Sequence, residues 1–308
     1  MLEVKHIFIG SASIAYAILG KNKIDLVIEM GLGSSIGEWW QVAKRLSKTH
    51  TVLLYERAGY GNSLPSDKER TPLNIANELY QLLEQLEHEE SVTLLAHSQG
   101  GLYAQQFARL YPQHVKALIL LDPLSAYDND FKTLLTSVEY KRSGVDKTGG
   151  FKLGYILSRL HLGFIIKKIM KTAPPFYYYK DFSNEETKYI LSTLTKPTFY
   201  KTAMEEYRLA HREEEISGLK EKKDFPDIPI YLITHTSKMA IREIIEFGGL
   251  DEVGAKKVEE IWQELMKAYL ALSHHSYFTQ AKHSTHYIHL TELDVVCDTL
   301  ERIYKKNS

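Results

Sequence analysis

The sequence predicts an α/β protein built on a mostly parallel, doubly wound sheet and interrupted by a helical insertion. Three observations carry this. Short continuous apolar runs recur, each followed by a stretch with helical spacing, the pattern of strands buried on both faces and joined by crossover helices. Glycine-rich turns close several of these runs. The rhythm stops after Pro123 and resumes near Pro229.

In chain order, Val4–Ile9 and Ile14–Leu19 flank Gly10-Ser11-Ala12-Ser13 and read as a hairpin. The alternative is a signal-peptide core, since Ile7 to Leu19 carries no charge and follows Lys5 and His6, but Glu3 sits in the leader. Leu26-Val27-Ile28 is the next strand, followed by Gly31, Gly33 and Gly37 and a helix over Glu38 to Leu46. Thr51 to Tyr55 runs into the turn at Gly59 and Gly61. A helix is expected from about Asn74 to Glu87, with Leu73, Ile75, Leu79, Leu82, Leu83 and Leu86 at roughly helical spacing. Val92 to Leu95, a sharp turn, a helix with Tyr103, Ala104, Phe107, Ala108 and Tyr111 on one face, and the strand Ala117–Leu121 complete the first part.

From Ser125 to Asp227 the pattern is helical and rich in aromatics. Pro229 to Thr234 and Tyr277 to Ala281 are then strands, Glu243 to Leu272 is mostly helical, and Thr291 to Lys305 is the closing helix. The organisation expected is one sheet domain, 1–124 and 228–308, with a helical cap at 125–227. Within the cap, Gly154 to Lys171 reads as a basic amphipathic helix, packed on its own domain or lying on a membrane. Glu213-Glu214-Glu215 and the charged stretch 220–224 read as solvated faces.

Composition narrows the classes. The 308 residues are 44% hydrophobic and 25% charged, which excludes disordered and fibrous chains. With 38 basic against 39 acidic side chains, nothing global attracts nucleic acid or anionic lipid, so neither a nucleic-acid partner nor stable membrane insertion is expected. Cys297 is the single cysteine, which rules out an internal disulfide framework and suits a reducing, cytoplasmic setting. No run reaches the ~20 apolar residues that span a bilayer.

The sharpest chemical signal is Leu94-Leu95-Ala96-His97-Ser98-Gln99-Gly100-Gly101. A strand runs into Ser98 and a helix begins just beyond it: small-x-Ser-x-Gly on a strand–turn–helix, a nucleophile elbow. Small residues at 96 and 100 allow strand and helix to approach closely. The Gln99 N–H is placed to donate to an oxyanion. An inert serine in a capped turn is the alternative.

A serine hydroxyl needs a base. His283, His286 and His289 lie after the last strand, where one could swing over the sheet edge; their spacing by three also admits a metal reading, though the segment is loop-like. His97 adjoins Ser98 and should point away from it. Asp122, directly after the strand Ala117–Leu121, stands where open sheets place their sites and could orient the histidine; capping the turn before Pro123 is its other reading.

Taken together the motifs resemble the α/β-hydrolase family. They are Glu29-Met30-Gly31-Leu32-Gly33 as the oxyanion loop, Tyr55 to Ser63 as the acidic-Arg-Gly turn, Ala96 to Gly101 at the elbow, Leu121-Asp122-Pro123, and Ser284-Thr285-His286-Tyr287-Ile288-His289-Leu290 as the histidine loop. The resemblance implies Ser98 as nucleophile, His286 as general base, and the Leu32 and Gln99 N–H groups as oxyanion donors, with Gly33 as fallback. Glu56 and Arg57 look structural. The family's acid usually follows the strand ending here in Ile233-Thr234, but His235 to Ala240 contains no carboxylate. Some members place it one strand earlier, which selects Asp122; Glu243, Glu246 and Asp251 are the reserves. Met30 stands where a histidine is common. Serine rather than aspartate at the elbow separates the chain from dehalogenase and soluble epoxide hydrolase branches, and Gln99 from proline iminopeptidases, which often have tryptophan there.

The expected function is a serine hydrolase of carboxylesterase or lipase-like type. It would act on a small or medium apolar acyl substrate through an acyl-enzyme, without cofactor or metal. An amidase, peptidase or thioesterase with the same residues, or a non-catalytic ligand-binding protein, are the alternatives.

Overall fold

The computed structural model describes residues 2–146, 148–223 and 225–305; Met1, Lys147, Asp224 (the end of the charged stretch 220–224) and residues 306–308 lie outside the described residues. The eight strands are β1 (Lys5–Ile9), β2 (Ala12–Leu19), β3 (Leu26–Glu29), β4 (Val52–Glu56), β5 (Val92–His97), β6 (Val115–Leu121), β7 (Ile230–Thr234) and β8 (Ser276–Gln280). They form one sheet in the order β1-β2-β4-β3-β5-β6-β7-β8. The β1–β2 and β2–β4 pairs are antiparallel; every pair from β4–β3 to β7–β8 is parallel. The N-terminal segment is thus a hairpin, with Gly10 in the left-handed region (φ 57°) and only two residues between Ile9 and Ala12, tighter than the four the sequence suggested.

The inner strands β3 to β7 are largely apolar because alternate residues face two cores, whereas β1 and β8, at the sheet edges, are mostly exposed. Val27, Leu53, Leu94, Leu118 and Leu232 meet α2 (Pro72–Gln85), α3 (Gly100–Leu110) and α12 (Glu252–Leu270) on one side. Leu26, Leu54, Leu95, Ile119 and Ile233 meet α1 (Ile36–Leu46) and α14 (Asp294–Lys305) on the other. Each such side chain removed from water contributes ~1.5–3 kcal/mol, and the two-sided burial fixes the register.

Between β6 and β7 the described chain is helical: α4 (Asp130–Leu134), α5 (Ser137–Arg142), α6 (Thr148–Arg159), α7 (Gly163–Met170), α8 (Asn184–Thr193), α9 (Pro197–Leu209) and α10 (Glu213–Lys220). Gly154–Lys171 is not one helix. It breaks at 160–162, where His161 is left-handed (φ 58°), and α7 starts afresh at Gly163. Glu213 to Glu215 form the first turn of α10, where their charge favours the helix N-terminus. Helix α11 (Ser237–Glu243) begins earlier than the sequence suggested and passes through a π-helical turn at Ile244–Gly248. The histidine segment contains one helical turn, α13 (Ile288–Thr291).

A buried ion cluster ties the insertion to the sheet. Arg57 Nη1 donates to Glu29 at 2.7 Å and Arg57 Nη2 to Glu206, from α9, at 2.9 Å; all three side chains are buried. Burial pushes the Glu29 carboxyl up to about 7 even against the pull of Arg57. Glu206 also accepts from Tyr60 at 3.1 Å and Tyr103 at 3.3 Å. Removing one partner of such a cluster strands charges away from water. Arg57→Met is therefore expected to cost about 3–5 kcal/mol in urea unfolding, part of it recovered in Arg57→Met/Glu206→Gln. A loss below about 1 kcal/mol would show that the cluster carries no weight.

Candidate active site

Ser98 ends β5 at the point where α3 begins, and it adopts φ 53°. A non-glycine residue there costs ~1–2 kcal/mol and persists only where its surroundings over-determine it. They do. The Ser98 N–H donates to Leu121 O at 3.0 Å, and its carbonyl accepts from Gly101 N at 2.9 Å and Leu124 N at 2.8 Å. Gly100 is forced by the same turn: a Cβ there would lie 2.3 Å from Glu29 O. Helix and oxyanion loop thereby come into contact behind Ser98.

Gly31 lies directly against the elbow, since a Cβ on it would sit 3.2 Å from Ser98 Cβ and 3.0 Å from His97 Nδ1. Arg57 fixes this loop by donating to Met30 O at 2.5 Å and to Gly31 O at 3.1 Å. With those carbonyls turned toward Arg57, the Leu32 N–H is left without an acceptor among the described residues, and so is the Gln99 N–H at the start of α3. Phe199 of α9 covers Gly33, within 2.8 Å of a Cβ built there.

Asp122 follows β6, next to the elbow, and is itself left-handed at φ 46°. Its N–H continues the sheet ladder to Ile233 O at 2.9 Å. His286 Nδ1 donates to Asp122 Oδ2 at 2.9 Å, 164 residues away in sequence. The carboxylate can only accept, so the other ring nitrogen, Nε2, carries the lone pair of the neutral ring. His286 is carried on His97: the ring centroids are 4.5 Å apart, and His97 Nε2 donates to His286 O at 2.9 Å. His97 is held neutral, its pKa driven well below the usual imidazole range by burial and then by neighbouring His286 and His289. Neither Ser98 Oγ nor His286 Nε2 has a hydrogen-bond partner among the described residues; contacts between nucleophile and base are often loose before substrate binds.

The other candidates are elsewhere. His289 Nε2 bonds Glu38 at 3.1 Å under a stacked Trp39, and His283 is exposed, so the three histidines serve different partners. Asp251 caps α12, accepting from Gly254 N at 2.8 Å, and Glu246 accepts from Tyr177. Among the described residues Asp122 is the carboxylate bonded to His286.

Sequence reasoning missed His235. At the strand end where the acid is usual, it instead serves Asp122: its N–H donates to Oδ1 at 2.9 Å and its Nδ1 to Oδ2 at 2.7 Å, while Nε2 reaches Glu259 at 3.1 Å. Both ring nitrogens donate to carboxylates, so the ring is an imidazolium. Burial works against that charge, but Asp122 and Glu259 outweigh it and raise the pKa to about 10. Burial likewise tends to raise Asp122, but the His235 charge and the hydrogen bonds from His235 and His286 hold it well below the carboxylate range. Glu206 was also missed, because nothing around it in α9 marks it as buried.

Residues 26–146 match the family model for the alpha/beta hydrolase fold. A Caenorhabditis elegans abhydrolase domain-containing protein, abhd-5.2, is 32% identical over 122 residues, 38% of this chain and 28% of that protein. The mouse (lyso)-N-acylphosphatidylethanolamine lipase is 31% identical over 106 residues, 33% of this chain and 31% of its own length. An AB hydrolase superfamily protein of Gibberella zeae is 24% identical over 91% of this chain and 85% of its own. The matched stretch thus spans under a third of the nematode and mouse proteins. In fold, the chain is similar to a Pseudomonas aeruginosa protein named as an epoxide hydrolase (TM-score 0.73, 15% identity, 99% of this chain and 95% of that one). It is also similar to a protein of Acinetobacter baumannii AYE named as a lipase, lip1 (TM-score 0.64, 19% identity, 99% and 92%). Sheet order, elbow and sequence match together give the chain the α/β-hydrolase fold.

Proposed function

We propose that the protein is a serine hydrolase cleaving carboxylic esters of small or medium apolar substrates in the cytoplasm. The observation that carries this is Ser98 held in a left-handed elbow beside the Asp122–His286 pair, with two N–H groups nearby that have no acceptor among the described residues. Ser98 Oγ attacks the acyl carbon as its proton passes to His286 Nε2. The carbonyl electron pair moves onto oxygen, which the Gln99 and Leu32 N–H groups hold. Asp122 keeps His286 in the Nδ1–H form and stabilises the imidazolium. Collapse expels the alcohol, which takes the proton from His286, and water then releases the acid by the reverse route. The insertion acts as a cap. Phe199 and Leu32, packed in one apolar cluster with Phe176 and Ile166, support an apolar acyl or alcohol site. Serine at the elbow favours acyl transfer over epoxide opening, and the lipase name of the mouse relative agrees with an acyl substrate.

The test is a fluorophosphonate probe followed by peptide mass spectrometry. A single adduct on Ser98 is expected. Absence of label, with the melting temperature still raised by small apolar ligands, would favour a binding protein on this scaffold. Matched ester, thioester and amide substrates should turn over fastest as esters; a faster amide would move the assignment to an amidase.

A further inference from the structure

From 148 to 180 the sequence carries Lys152, Arg159, Lys167, Lys168, Lys171 and Lys180 and no aspartate or glutamate, in a chain whose net charge is −1. This stretch forms α6, α7 and the turn after them. On α6, Leu153 and Ile156 are exposed and lie about 60° apart at 100° per residue, and Leu160, in the turn just after α6, is exposed as well. Phe164 and Ile169 of α7 continue the apolar surface. Leu160 is 62% and Phe164 69% exposed, large values for side chains of this size. Lys152, Arg159, Lys167, Lys168 and Lys171 are exposed among them, and none is in an ion pair among the described residues.

The opposite side of the same helices is buried. Ile166 is inside, and Phe151, Tyr155, Leu157 and Met170 pack on the cluster that holds Phe199 and Leu32. The two helices therefore have an inner face that builds the protein and an outer face, apolar and cationic together, that nothing among the described residues covers. A second copy of the chain would bring the same positive charge to the contact. An aqueous acidic partner would leave the apolar side chains unsatisfied. An anionic bilayer surface satisfies both, with the apolar side chains at the acyl boundary and the cations at the headgroups.

We propose that the outer face of α6 and α7 docks the protein reversibly on anionic lipid bilayers. The inner face of the same helices packs on the cluster that also meets Leu32 of the oxyanion loop. Docking itself requires nothing of Ser98.

The experiment is co-sedimentation of the full chain with phosphatidylcholine vesicles, with and without phosphatidylglycerol. Binding is expected only with the anionic lipid and should weaken as salt rises. Lys167→Gln/Lys168→Gln/Lys171→Gln should bind about 10²-fold more weakly. Leu160→Ser/Phe164→Ser should also bind more weakly, with a deficit that high salt does not abolish. Turnover of a soluble ester should be unchanged in both variants, which separates loss of docking from loss of fold or of catalysis. Equal binding to both lipids, no binding, or binding unaffected by the two variants would overturn the proposal. So would a dimer in sedimentation velocity that Leu160→Ser/Phe164→Ser dissociates, because a second copy would then cover the patch.

Discussion

Ser98→Ala is expected to lower kcat for ester hydrolysis by about 10⁶-fold while the protein stays folded. The size follows from the way a nucleophile and its base act as one unit. Once the hydroxyl is gone, the Asp122–His286 pair has no proton to take, and what remains is binding and the oxyanion donors, worth about 10³–10⁴ over water. Fold should survive because the elbow is held through the Ser98 backbone, by Leu121, Gly101 and Leu124, and not through Oγ. Ser98→Gly sharpens the point. Glycine adopts φ 53° without the side-chain penalty, so this variant should be as inactive as Ser98→Ala yet at least as stable as wild type. Thermal unfolding and a chromogenic ester assay read both properties. Retained turnover in Ser98→Ala would remove Ser98 from the chemistry.

The contrast between Ser98 and His235 shows which parts of such a site a sequence can reveal. Ser98 was legible because everything that defines it is local: the strand Val92–His97, small residues at 96 and 100, and the helix from Gly100. The inner strands β3 to β7 were legible for the same reason, as runs buried on both faces. Asp122 and His286 could be proposed only from their places after strands and from the family pattern around His286, because 164 residues separate them and their contact depends on where β6 and the segment after β8 end. His235 was not legible. Its neighbours Thr234 and Thr236 suggest nothing, and its role exists only because β6 and β7 pair in a register that brings its ring and N–H onto Asp122. Glu206 follows Glu205 on a helix and reads as a solvated residue until Arg57, 149 positions away, supplies its charge partner. The break at His161 was hidden because Leu160, His161 and Leu162 include neither proline nor glycine.

Asp122→Asn is expected to reduce kcat by about 10⁴-fold. The amide presents an N–H₂ as well as an oxygen to His286 Nδ1, so the ring loses its fixed tautomer and the charge that stabilises the imidazolium. His235 makes this site distinctive. It already spends one imidazolium on Asp122 Oδ2, the oxygen that His286 shares. His235→Gln keeps a donor near Asp122 but removes the charge, and should lower kcat by roughly 10-fold, about one pKa unit of altered interaction, with KM little changed. The stability consequence has a definite sign. Because the Asp122 pKa is depressed in the folded state, its contribution is present above the ordinary carboxylate value near ~4 and is lost as pH falls. Urea unfolding from pH 7 down to pH 3 should therefore show wild type losing stability more steeply than Asp122→Asn, so that the two curves converge in acid. The His235 pKa is raised, so its contribution is complete below about 6.5 and disappears only as pH climbs through about 10. Parallel acid limbs would mean that Asp122 is not held as an anion. A near-wild-type rate in Asp122→Asn would transfer the acid's role to another carboxylate, Glu259 first, since His235 already links it to this site.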